Sequence, residues 1–139
     1  MKKEIKKMKY IISLFFIFAF LSVSYSAITI DDAKKMAEET LAVLKEINTV
    51  LDTVKKKENI TEIVKTRLSI EVNKLKILQN KIELLKRNAT PDDIRNLNSQ
   101  FNAGPYAVAL KKEVNDFFYN IQRVKSLPGG TEIAVLFEF

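Results

Sequence analysis

All six glycines and prolines of this 139-residue chain fall in three places: Pro91, Gly104-Pro105 and Pro128-Gly129-Gly130. Residues 31–90 contain neither. Glycine gives up the most backbone entropy on ordering, and proline removes a hydrogen-bond donor and clashes with the preceding turn. A long stretch free of both, with apolar side chains three and four residues apart, is what extended amphipathic helices require.

The first predicted helix covers 31–57. Thr29 to Asp31 offers side-chain oxygens for the unpaired first-turn N–H groups, and Asp31 and Asp32 suit the positive end of the dipole. Ala33, Ala37, Thr40, Leu44, Ile47, Leu51 and Val54 form a seam at heptad spacing, the pattern of a coiled coil. Lys55, Lys56 and Lys57 read as a solvated C-terminal end rather than a nucleic-acid contact. A second helix is predicted over 59–87, with Asn59 and Glu62 in capping-box spacing. It carries two apolar lines, one through Ile63, Ile70, Ile77 and Leu84 and one through Val64, Leu68, Val72, Leu75, Leu78, Ile82 and Leu85. So broad a stripe predicts two neighbours.

Thr90-Pro91-Asp92-Asp93 opens a short helix over 91–102, with Ile94, Leu97 and Phe101 on its apolar side. A fourth helix is expected over 105–127, with Ala107, Leu110, Val114, Phe117, Ile121 and Val124 as its seam. Beyond Pro128-Gly129-Gly130, the tail 131–139 alternates Ile133, Val135, Phe137 and Phe139 with its other residues, which is strand periodicity and predicts an extended apolar segment. The fold class expected is all-α: a small antiparallel bundle of three long helices and one short one, followed by an extended tail.

The first 27 residues have the zones of a secretory signal: five lysines before position 10, an apolar run from Tyr10 to Leu21, and the small-residue exit Ser22-Val-Ser-Tyr-Ser-Ala27. Residues 1–26 are expected to be removed, leaving 27–139 as one domain; the competing reading keeps the leader as a membrane anchor. The formal charge of +6 belongs mainly to this segment, since without it 18 basic residues face 16 acidic ones. A mature part so nearly neutral gives no electrostatic case for nucleic acid. The absence of cysteine suits a bacterial envelope protein better than a disulfide-stapled secreted domain.

With no histidine and no cysteine, the usual base near neutral pH, the thiolate nucleophile and the commonest metal ligands are all missing. The acidic pairs Asp31-Asp32, Glu38-Glu39 and Asp92-Asp93 are sequence neighbours that point about 100° apart on a helix instead of converging. No catalytic, metal or cofactor residue is therefore expected, and the chain is read as not an enzyme. The candidate interaction surface comprises Tyr106, Phe118 and Tyr119 with Ile133, Val135, Phe137 and Phe139.

The functional expectation is an exported, non-catalytic protein of the bacterial periplasm or cell surface that acts through protein–protein contact or self-association. In bulk properties such a small, basic, helical, exported chain resembles periplasmic holdase chaperones of the Skp type, which would imply capture of unfolded envelope proteins. A self-assembling helical-hairpin adhesin is the other alternative.

Overall fold

The computed structural model describes residues 30–87 and 105–138, and every element among them is helical. The fold is all-α. Helix α1 runs Ile30–Asp52, α2 Glu62–Arg87 and α3 Pro105–Lys125, followed by the single turn α4 at Thr131–Ala134. Two 3-10 turns complete the set, Lys57–Asn59 between α1 and α2 and Val135–Phe137 after α4. The expected leader, the helix expected over 91–102 and Phe139 lie outside the described residues.

Helix α1 is the centre of the packing. It lies against both α2 and α3, while α4 and the last 3-10 turn lean on α3 and α2. Its buried side chains include Ala37, Thr40, Leu44, Ile47 and Leu51, as the seam predicts, and also Val43 and Val50; Val54, just past its end, is buried too. That second pair widens the buried face by one line, which is what contact with two neighbours demands. Helix α2 contributes Leu68, Val72, Leu75 and Leu78, and α3 contributes Leu110, Phe117, Ile121 and Val124. Tyr106 bonds Glu38, Asn48 bonds Glu113 and Arg123 bonds Val54. Partners thus climb both helices together, and α1 and α3 run in the same direction.

Both ends of the first connection differ from the sequence expectation. Helix α1 stops at Asp52, not at 57, because side chains take over its terminal groups. The Arg123 guanidinium donates to the carbonyls of Val54 at 2.5 Å and Leu51 at 2.8 Å, adding to the Val54 N–H bond that Leu51 already accepts and tying the helix end to α3. The Asn59 side-chain oxygen accepts from the backbone N–H groups of Lys55 and Lys56 at 3.0 and 3.1 Å. The lysine run therefore lies in a turn. Asn59 is spent there, and the cap of α2 falls to Thr61, whose hydroxyl accepts from Val64 N–H at 3.2 Å. The helix accordingly begins at Glu62 instead of 59.

The tail is the larger correction. Residues 131–137 are not extended but helical. Ile133, Val135 and Phe137 fit an alternating strand, but Ile133 and Phe137 are also four apart and fall on one helical face. Within the described residues no strand offers a ladder, so local bonds close the backbone: Glu132 N–H to Gly129, and Ile133 and Ala134 N–H to Gly130. Gly129 supplies the reversal with φ of +77°. Gly130 sits so close to the end of α3 that a Cβ there would fall 1.8 Å from the carbonyl oxygen of Val124. With the turn so made, Ile133 and Phe137 enter the core, and Phe137 meets Phe117 edge to face at 5.0 Å between centroids.

Candidate functional site

Two surfaces stand out. The first is on α2. Its buried line faces α1, while Ile63, Ile70, Ile77 and Leu84 remain 73%, 51%, 56% and 58% exposed. At 100° per residue these side chains lie 100–140° away from the buried Val64 and Leu68 lines, and successive members drift only about 20°. They form a nearly straight apolar strip roughly 32 Å long. Among the described residues α2 packs against α1 and the last 3-10 turn, and its second apolar line stays exposed.

Every heptad of the strip repeats the same neighbours. Three residues after each isoleucine comes a short polar side chain, Thr66, Asn73 and Asn80, and four residues after it a cation, Arg67, Lys74 and Lys81. All six are exposed. The threonine and asparagines extend the strip on the side away from the core, and the cations edge it on the side toward α1. Arg67 pairs with Glu46 at 2.6 Å and Lys74 with Glu71 at 2.8 Å. The Arg67–Glu46 pair is exposed on both sides and holds its side chains only weakly, whereas Lys74 reaches down to a buried carboxylate, Glu71 being 7% exposed.

The second surface is a polar cleft of about 490 Å³ between α1 and α3. Its floor is a hydrogen-bonded chain. Asn48, 6% exposed, donates to the backbone carbonyl and the carboxylate of Glu113 at 2.9 and 2.8 Å. Asn120, 4% exposed, donates to the Asn48 amide oxygen at 3.3 Å and accepts from Arg123 at 3.3 Å. Arg123 ends the chain on the α1 carbonyls. Sequence reasoning missed this set; the only sign of it is that each asparagine stands beside a seam position, Ile47 and Ile121. At the rim, Lys112 is held above the usual lysine range, first by its hydrogen bond to Asp116 and then by the charges of Asp116 and Glu113. The bonds of this floor run between protein groups and fix α1 against α3.

The sequence-derived surface residues do not converge. Tyr119 is 70% exposed at the cleft. Phe118 is half-buried against the core and meets Phe117 edge to face at 5.6 Å. Tyr106 packs on the core with its hydroxyl bonded to Glu38; that bond, followed by desolvation and the carboxylate's charge, raises its ionisation above the ordinary phenol value. Val135 is exposed, but Ile133 and Phe137 are buried and unavailable to a partner.

Among the described residues no cluster of three acidic, histidine or cysteine side chains comes together as a metal site, and no helix is long and apolar enough to cross a membrane. No protein family, curated protein or solved structure matches the chain, so its function is read from its own residues.

Proposed function

We propose that the chain is an exported, non-catalytic protein of the bacterial periplasm or cell surface that works by protein–protein contact through the outward face of α2. The observation that carries this reading is the run of Ile63, Ile70 and Ile77 left exposed at heptad spacing on a helix whose other side is packed. Burying such side chains against a partner gains roughly 25 cal/mol for each Å² removed from water. Folding of the described residues leaves that gain unused. Export is supported by the cationic, apolar and small-residue zones of residues 1–27. An up-down-up order, with α2 antiparallel to α1 and α3, is supported by the Glu46–Arg67 pair near the shared end of the first two helices.

The test places a photo-reactive residue at Ile70 or, as a control, at the exposed Lys111 of α3 in the chain expressed with its own leader. A protein adduct of discrete mass from position 70 and none from position 111 is expected. Equal labelling from both positions, or none, would end the assignment of the α2 face. Terminal sequencing of the same product should read from Ala27 in the exported fraction; an intact leader in the membrane fraction would replace export with anchoring.

A further inference from the structure

The strip on α2 has the width and period of a coiled-coil seam, and its charges select what can lie on it. The strip is one apolar side chain wide, edged by polar residues in every heptad. A membrane surface needs a broad apolar face, whereas a second helix meets its neighbour along a line repeating every 3.5 residues. The spacing of Ile63, Ile70 and Ile77 therefore fits a helix.

The edges give no charge attraction to the easiest such helix, a second copy. With the isoleucines as one core position and Thr66, Asn73 and Asn80 as the other, Arg67, Lys74 and Lys81 occupy one flank and Glu62, Ser69, Lys76 and Glu83 the opposite flank. An antiparallel pair of copies would set the three cations of one against the same three of the other. A parallel pair would gain Glu62 against Arg67 but set Lys76 against Lys81. Helix α2 as a whole carries seven Lys and Arg against three Glu. The two asparagines add a second selection, because an amide in a seam must meet a polar group and so fixes the register of its partner.

We infer that the α2 strip is one half of a heterotypic coiled coil, its other half an amphipathic helix of another protein with an apolar line at heptad spacing, polar side chains opposite Asn73 and Asn80, and carboxylates along the one edge that meets Arg67, Lys74 and Lys81. This rests on the outward face of α2 being the working surface.

Two synthetic helices of four heptads provide the probes. Both carry Ile at one core position, Asn at the other and Gln on the flank that meets Glu62 and Glu83; on the flank that meets Arg67, Lys74 and Lys81 one has Glu and the second has Lys. Each is titrated against the full chain by fluorescence anisotropy at low and high salt. The Glu helix should bind at least about tenfold more tightly than the Lys helix, lose that advantage as salt rises, and fail on the double variant Ile70→Gln, Ile77→Gln whose circular dichroism matches the parent. Equal binding of the two helices, binding of neither, or strip-dependent dimerisation or binding to anionic phosphatidylglycerol vesicles in place of the Glu helix would overturn the inference. If position 70 still gives its discrete protein adduct while the Glu helix fails, the working surface stands and only the acidic partner falls.

Discussion

Helices α1 and α2 are similar in length, 23 and 26 residues, and both carry apolar side chains at heptad spacing, yet one is enclosed and the other half bare. On α1 each apolar line finds a neighbour, α2 on one side and α3 on the other, and Ala37, Leu44, Ile47, Val50 and Leu51 are all fully buried. On α2 the line facing α1 is buried and the next line is left in water. The lesson is that apolar spacing sets how much a helix has to offer, while the number and placement of neighbours set how much of it is taken up.

That contrast can be broken by substitution. Leu44→Asp places an unpaired charge at a position with no exposure and should cost more than about 4 kcal/mol or prevent folding, read as loss of the cooperative thermal transition. A well-folded Leu44→Asp chain would mean that α1 is not the centre of the core. Next in size is Phe137→Ala, which removes the ring stacked against Phe117 and should cost roughly 3–5 kcal/mol in denaturant unfolding. An effect near zero would return the tail to the role of a free interaction segment. Asn48→Ala leaves the Glu113 carboxylate and the Asn120 amide short of a partner, with an expected loss of roughly 1–3 kcal/mol; a stabilised variant would show that the polar floor of the cleft opposes the fold.

The smallest effects belong on the outer surfaces. Ile70→Gln should shift stability by no more than about 0.5 kcal/mol, and a loss as large as that of a core residue would mean that the strip is covered within the chain. At Tyr106 the folded-state ionisation lies above the ordinary value, the hydrogen bond to Glu38 being the first cause. Its contribution is complete below the ordinary phenol range and is lost as pH rises through the raised value. Tyr106→Phe should therefore lower the melting temperature slightly at neutral pH and reduce the alkaline fall, measured as melting temperature against pH. An unchanged alkaline limb would assign that fall to other groups.

Much of the architecture was legible before any coordinates. Pro105 and Pro128-Gly129-Gly130 bracket α3, though no Gly or Pro marks the break between α1 and α2, and the spacing of Leu44, Ile47, Leu51, Phe117, Ile121 and Val124 names the inner faces of α1 and α3, because both signals are local: backbone entropy and the 3.6-residue turn act within a few residues. Only the tertiary structure decided the rest. Arg123 ends α1 from across the bundle, and Asn48 finds Asn120 72 positions away. The close approach of Gly130 to Val124 turns the tail back so that Ile133 and Phe137 bury as a helix, a choice that seven residues compatible with two periods cannot make alone. The α2 strip is the same kind of case. Sequence spacing lays out two equivalent apolar lines, and which one stays exposed depends on where α1 lies, a long-range fact that no local pattern encodes.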